Sequence, residues 1–228
     1  MFFLPALMLI AAMDPAPVRV ADRPKPSPIP IAWQIEFKFV DLQRIEIQSR
    51  ETGEIEIYWY MVYTATNISD RTQHFFPMFK IVTEDLVTTE SDMGLDPRIF
   101  EKIKERYRKT YPYLVSPIKA IGKLMSGDDN ARESVAIWPQ IDLDVNNFRI
   151  YVAGLSGERR FMRNPLYDSS KPETVVVTDA GGNKRERAVN PKFFILRKTL
   201  EIPYHLPGSP DTRGRVEPRR GQPRWIMR

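Results

Sequence analysis

Apolar and polar residues alternate through most of the chain between Trp33 and His205. In WQIEFKF, residues 33–39, every odd position is apolar and every even position is polar. Alternation with a period of two is typical of β-strands that bury one face. The longest such segment, residues 54–67, reads EIEIYWYMVYTATN and places Trp59 and Tyr63 on one apolar face. We therefore expect a long central strand with Trp59 in the core.

The other face of this segment carries Tyr58 and Tyr60 among carboxylates and threonines. Two interpretations stay open for these tyrosines: a small exposed aromatic patch that contacts a ligand, or ordinary cross-strand packing. Aromatic residues are favoured in strands in any case, so packing is the simpler interpretation.

Strand-like segments recur along the rest of the chain. They read RIEIQ, FFPMFKIVT, SVAIWPQ, NFRIYVAG, ETVVVTD, KRERAVN and KFFILRKTLEIPYH. The stretch DAGGN contains the pair Gly181-Gly182, which predicts a hairpin between two of them. About eight or nine strands with turn-rich connections predict a mainly β fold, an antiparallel immunoglobulin-like sandwich over residues 33–206.

One segment, residues 96–126, departs from the strand pattern and predicts a helical insertion. Asp96 is placed as an N-cap, Pro97 follows at the first helical position, and Ile99, Ile103 and Tyr107 recur at helical spacing. A second helix is expected to begin at residues 116–117, with an apolar stripe over residues 118, 121 and 124. We expect the insertion to cover an open end or edge of the sheet, and a mobile functional lid is the alternative.

The two ends of the chain differ in composition from the strand region. The apolar run Phe2–Met13 is too short to span a bilayer, which needs about 20 residues, and it predicts a signal peptide over residues 1–13. Six prolines between Pro15 and Pro30 predict an extended linker over residues 14–32. Residues 207–228 are rich in Pro, Gly and Arg, which predicts a disordered basic tail.

The net charge of +5 is small, so its placement matters more than its size. Residues 207–228 contain six arginines against Asp211 and Glu217. The tail is therefore the expected contact for an anionic envelope polymer, unless it is a solvated tail without function. The candidate contact residues are Arg213, Arg215, Arg219, Arg220, Arg224 and Arg228.

The order of several phrases resembles a group of uncharacterised exported bacterial proteins. These phrases are YTATNISDRTQHFFPMFKIVTED, GDDNARESVAIWPQIDLDVNNFRIYVAGLSGE and RKTLEIPYHLPG. More loosely, the YTATN strand and turn are similar to telokin-like immunoglobulin-fold domains. The resemblance extends from Trp33 to Gly208 and implies an exported β-sandwich, but it implies no activity and no functional residue.

Few residues in the sequence are suited to catalysis or metal binding. The chain has no cysteine and only His74 and His205, and it lacks the strand–turn–helix setting of a nucleophile elbow. Two acidic segments, SGDDNARE at residues 126–133 and IDLDVNN at residues 141–147, offer oxygen ligands for calcium or a pair of catalytic carboxylates. Turn and capping chemistry accounts for them as well. We therefore predict no enzyme, no metal site and no cofactor.

These observations predict an exported, non-enzymatic binding or scaffolding module of the bacterial cell envelope, periplasmic or secreted. Its partner is expected to be a protein or an anionic envelope polymer, and no stable transmembrane span is expected. The alternative is an envelope glycan hydrolase that uses the carboxylates of the two acidic segments.

Overall fold

The computed structural model describes residues 33–179 and 181–228, together with the backbone of Val18–Arg19. The predicted signal peptide and almost all of the proline-rich linker lie outside these residues. The strands are β1 Val18–Arg19, β2 Ile35–Phe39, β3 Gln43–Gln48, β4 Ile55–Asn67, β5 Gln73–Phe75, β6 Met78–Thr83, β7 Thr88–Glu90, β8 Gly122–Leu124, β9 Arg132–Pro139, β10 Asn147–Ala153, β11 Arg159–Arg163, β12 Thr174–Thr178, β13 Lys184–Ala188, β14 Phe193–His205, β15 Arg219–Arg220 and β16 Arg224–Met227. The helices are α1 Pro97–Arg106, α2 Pro117–Ala120 and α3 Pro210–Arg213, with one 3₁₀ turn at Asp128–Asn130.

Two antiparallel sheets, each organised around one 13-residue strand, make up the fold. In the first sheet, β4 pairs with β2 and β3 along one edge and with β9 along the other. In the second sheet, β14 pairs with β10 and β11 along one edge and with β15 and β16 along the other, and β6 and β7 extend the sheet beyond β10. The prediction of a mainly β, antiparallel fold is confirmed.

The main core lies between the two sheets. It buries alternate residues of both sheets, among them Phe37, Trp59, Phe79, Ile150 and Leu200. The Trp59 ring meets Phe148 edge-on, with ring centroids 5.5 Å apart. The predicted register of β4 is therefore confirmed, with Trp59 fully buried.

A second core lies on the outer face of the first sheet. An exposed aromatic patch was one of the two interpretations of the sequence for this face. Helix α1 covers this face, and the Tyr60 ring packs edge-on against Tyr107 at 6.1 Å. Tyr60 is fully buried, and its hydroxyl accepts a hydrogen bond of 2.8 Å from Arg106. Tyr58 is half-buried and donates to Glu56 at 2.6 Å. The helix thus covers a sheet face and not an open end or edge, and no exposed aromatic patch forms here.

The helical insertion is confirmed in its first half and wrong in its second. The Asp96 carboxylate accepts a hydrogen bond of 2.8 Å from the backbone N–H of Arg98, as expected of an N-cap. The second helix begins at Pro117 but ends at Ala120. The chain then enters β8, so the expected helical stripe does not form: Ile118 is exposed and Leu124 is buried.

The tail is part of the folded domain, and the prediction that residues 207–228 are disordered is wrong for this structure. Strands β15 and β16 pair with β14, and Trp225 packs against the main core. The composition was a poor guide because Arg213 is buried among backbone carbonyl oxygens and Trp225 contributes apolar packing, although Arg215 and Arg219 are exposed.

Candidate functional site

Arg213, the first arginine of the tail, is a structural residue. Its side chain is only 5% exposed. The guanidinium donates to the backbone oxygens of Leu143 at 2.7 Å and Asp144 at 2.9 Å, and to the side chain of Asn146. Arg44 completes the attachment from the first sheet, because it donates to the carbonyl oxygens of Arg213 at 2.7 Å and Gly214 at 2.5 Å. Arg213 is therefore unavailable to an anionic partner.

The other tail arginines vary in how far the fold engages them. Arg220 forms an ion pair of 2.6 Å with Asp41, and Arg224 one of 3.0 Å with Glu201. The Arg228 guanidinium lies 3.9 Å from the ring centroid of Tyr151. Arg215 and Arg219 are exposed, and neither has a carboxylate within 4.0 Å in the described part of the chain. Contact of the tail with an anionic polymer stays a prediction, now confined mainly to these two residues.

The second acidic segment, residues 141–147, is occupied by internal contacts. Arg213 takes two of its backbone oxygens and the oxygen of Asn146, and Asp142 accepts from the backbone N–H of Asp144 at 2.9 Å. The side chain of Asn147 and the backbone N–H of Asn146 donate to the Glu84 carboxylate, and these hydrogen bonds lower the pKa of Glu84. The Arg213 guanidinium therefore binds three oxygens of this segment that would otherwise be open to a cation.

The first acidic segment forms a small open cavity of about 410 Å³. Asp128, Asp129 and Glu133 line it together with the exposed ring of Tyr113. Burial raises the pKa of Glu133. Strand β9 lies between this cavity and the second acidic segment. From Glu133 to Pro139 the strand extends over about 20 Å, at about 3.3 Å per residue. Carboxylates from both segments therefore cannot act on one glycosidic bond, which needs a separation of about 5–10 Å.

Neither histidine lies in a catalytic or metal-binding arrangement. His74 stacks beside Phe76 at 6.3 Å, and the Nδ1 of His205 lies 3.1 Å from the side-chain oxygen of Asn147. Across residues 33–179 and 181–228, no three His, Asp or Glu side chains come together as a potential metal site.

Asp92, a half-buried residue, lies under the helical insertion, beside a cavity of about 390 Å³. The Asp92 backbone N–H donates to the carbonyl oxygen of Ile137 at 2.8 Å, and its carboxylate accepts from the N–H of the same residue at 3.0 Å. Burial raises the pKa of Asp92 to about 6. Asp92 thereby completes the hydrogen bonding of the outer edge of β9, which is a structural role.

The most unusual surface is the segment of residues 159–197, which we call the arm. It consists of β11, the hairpin of β12 and β13, and the first part of β14. All residues of β11, β12 and β13 are exposed. The large exposed apolar side chains of the arm are Phe161, Met162, Leu166, Val175, Val176, Val177, Val189, Phe193, Phe194 and Ile195.

The arm has an inverted distribution of polar and apolar side chains. Its buried residues among those described are Asn164 and Asn190. The Asn164 side chain donates to the carbonyl oxygen of Pro191 at 2.8 Å, and that of Asn190 donates to the carbonyl oxygen of Asp168 at 2.7 Å. Polar contacts therefore hold the arm together while its apolar residues face solvent. A large amount of exposed apolar surface in one segment is typical of interaction sites.

The arm also concentrates positive charge. Residues 159–197 contain nine Lys and Arg against four Asp and Glu, a net charge of +5. Residues 33–158 contain 15 Lys and Arg against 20 Asp and Glu, a net charge of −5. Opposite net charges therefore separate the arm from residues 33–158, and the tail is also basic.

The sequence predicted β12, β13 and β14 of the arm, but it predicted neither β11 nor the exposure of these strands. One signal was present: the stretch TVVVT has three consecutive valines, and FFIL has four consecutive apolar residues. Neither segment alternates between apolar and polar residues as a half-buried strand does. A run of consecutive apolar residues usually indicates a strand that is buried on both faces. Only the fold shows that no second layer covers them.

Comparison of the chain with models of known families, with curated proteins and with solved structures found no match. The resemblance to exported bacterial β-sandwich proteins therefore stays a prediction. The described residues also contain no helix with the length and apolar character needed to cross a membrane.

Proposed function

We propose that this chain is an exported, non-catalytic binding or scaffolding module of the bacterial cell envelope, an immunoglobulin-like sandwich that contacts a protein partner through its arm. The observation that carries the proposal is the exposed apolar surface of the arm. The signal-like run Phe2–Met13 supports the export part of the proposal.

The pairing of β11 with β14 explains why the arm needs a partner. In this two-stranded ribbon, Phe161 lies opposite Ile195 on one face, and Met162 lies opposite Phe194 on the other. Both faces of the ribbon are thus apolar. Among the described residues, no other part of the chain covers either face. Burying each such side chain contributes about 1.5–3 kcal/mol. The hairpin of β12 and β13 adds a second reason, since an isolated two-stranded hairpin is only marginally stable in water.

Charge indicates the kind of protein surface that fits the arm. With a net charge of +5, two arms repel each other, so a partner with an acidic rim around an apolar patch fits better than a second arm.

A truncated chain tests the proposal. Arg160 lies opposite Leu196 in the ribbon, so an Asn-Gly turn can join these two residues and delete residues 161–195. We expect one envelope protein to copurify in a fixed ratio with the wild type and to be absent with the truncated chain. The control is Ile55→Ser. This variant removes an apolar side chain outside the arm that is as exposed as Phe161, and it should leave copurification unchanged. An identical result for wild type and truncated chain would refute the role of the arm.

Cell fractionation tests the compartment separately. We expect a shortened chain in the periplasm or the medium, and recovery of the full-length chain in the cytoplasm would contradict export.

A glycan hydrolase is the second candidate, and the cavity of Asp128, Asp129 and Glu133 is the observation in its favour. A general acid needs a raised pKa, and burial gives Glu133 that property. This candidate predicts turnover of an envelope polysaccharide that Glu133→Gln abolishes without unfolding the chain. No turnover by the wild type would remove the candidate.

A further inference from the structure

A cleft of about 640 Å³ lies where the arm meets the sandwich. Its main lining residues are Trp33, His74, Phe76, Met78, Arg159 and Arg197. The aromatic residues come from the sandwich and the arginines from the first pair of the ribbon. This cleft therefore combines apolar rings with positive charge at a fixed point of the fold.

The two arginines of the cleft form a like-charged cross-strand pair. Arg159 lies directly opposite Arg197 in the antiparallel register, so both side chains project from the same face. Like charges in this position destabilise a strand pair. Within the described residues neither guanidinium has a carboxylate within 4.0 Å, because the neighbouring Glu158 is engaged by Lys198 at 2.6 Å. The pair thus keeps its donors available for an anion.

Backbone contacts fix the positions of both arginines. The backbone of Arg197 exchanges two hydrogen bonds with Arg228, of 2.7 and 3.1 Å. Beside Arg159, the backbone N–H of Lys198 donates to the carbonyl oxygen of Glu158 at 3.1 Å. The strand pair therefore remains closed at this point in spite of the repulsion.

Two glycines allow the aromatic wall to approach the arginines. The N–H of Gly157 donates to the carbonyl oxygen of Trp33 at 3.1 Å, and a Cβ at this position would lie 2.6 Å from the indole Nε1. A Cβ at Gly154, which has a φ of +86°, would lie 2.3 Å from the carbonyl oxygen of Phe76. Only glycine permits both approaches.

We propose that this cleft binds an oxyanion attached to a planar apolar group, with the oxyanion between Arg159 and Arg197 and the planar group against Trp33 and Phe76. Guanidinium groups bind carboxylate and phosphate through paired, charge-assisted hydrogen bonds. Apolar walls with a few convergent polar groups are the usual features of a small-ligand site. The proposal does not depend on a partner for the arm.

Calorimetric titration of the full chain at low salt tests the site with simple probes. Phenyl phosphate carries both features, benzoate tests a carboxylate in place of the phosphate, inorganic phosphate lacks the ring, and benzyl alcohol lacks the charge. We expect one site for phenyl phosphate or benzoate, and the tighter of the two identifies the oxyanion. Inorganic phosphate and benzyl alcohol should bind at least about tenfold more weakly. Equal affinity for phenyl phosphate and inorganic phosphate, or no binding of either aromatic anion, would overturn the proposal.

Variants distinguish this cleft from the general charge of the arm. Arg159→Gln and Arg197→Gln should each weaken binding by about tenfold or more, since each removes a charge-assisted contact. The matched control is Arg160→Gln, which removes an exposed arginine of the same strand from the opposite face and should change affinity by less than about twofold. An equal loss in all three variants would indicate unspecific attraction and contradict the site.

Two further variants separate ligand binding from folding and from the arm. Arg197→Glu creates a cross-strand pair with Arg159, so it should raise the Tm while it abolishes binding of the aromatic anion. The truncated chain that deletes residues 161–195 keeps both arginines and should bind the anion as the wild type does. Loss of binding in the truncated chain, with an unchanged Tm, would contradict a site at the base of the arm.

Discussion

Replacement of Arg213 by alanine tests how the tail is attached to the body. The variant removes donors from the carbonyl oxygens of Gly208, Leu143 and Asp144, which Arg213 contacts at 2.7–2.9 Å, and from Asn146. Hydrogen bonds to a charged group contribute about 1.5–3 kcal/mol each, although their effects are not additive. A buried acceptor that is left without a donor costs about 1–3 kcal/mol.

We therefore expect Arg213→Ala to lower the free energy of unfolding by about 3 kcal/mol or more. For a chain of 228 residues this corresponds to a decrease in Tm of about 6–12 °C. Scanning calorimetry or circular dichroism measures the difference. Arg215→Ala is the matched control, because Arg215 is exposed two residues further along the chain and should cost less than about 0.5 kcal/mol. Equal Tm values for the two variants would show that the tail is not anchored as described, and the reasoning would fail.

Three further predictions concern the core, the Asp92 carboxylate and the arm. Trp59→Ala should cost about 3–5 kcal/mol because Trp59 is fully buried, whereas Tyr58→Ala should cost about 1 kcal/mol, and thermal melts in the reverse order would contradict the register of β4. Because burial raises the pKa of Asp92 to about 6, above about 3.9 in the unfolded chain, the stability of the wild type relative to Asp92→Asn should fall as the pH rises from 4 to 6; a constant difference would contradict the burial of this carboxylate. Deletion of residues 161–195 should change the free energy of unfolding by about 0.5 kcal/mol or less, since no apolar residue of the arm is buried, and a large loss would mean that the arm supports the core.

Local patterns predicted the parts of the fold that depend on local physics. Strand-like patterns predicted nine strands, period-two alternation predicted the register of Trp59, and capping chemistry predicted the start of α1 at Asp96. The strands that the patterns missed are between two and five residues long, as in β15 and β11. Strands of two to four residues are too short to display a period, and the five residues of β11, RRFMR, do not alternate.

Contacts between distant residues could not be predicted in the same way. Arg213 meets the carbonyl oxygens of Leu143 and Asp144, which lie 70 and 69 positions away, so its burial has no local signal. The burial of Tyr60 depends on the placement of α1 over the outer face of the sheet, which the alternation in β4 does not specify. The exposure of the arm follows from the absence of a second layer over residues 161–195 in the described structure, and the repeated valines alone predict the opposite.

The most direct test of the account is site-specific photo-crosslinking within the native envelope. A photoreactive residue at Phe161 reports on the arm, and one at Ile55 is the control, because both side chains are 67% exposed. The account predicts one discrete adduct with a second protein at position 161, its loss in the Ile195→Ser variant, and no adduct at position 55. Absence of an adduct at position 161, the same adducts at both positions, or an adduct formed by two copies of this chain would contradict the proposal that the arm binds a protein partner.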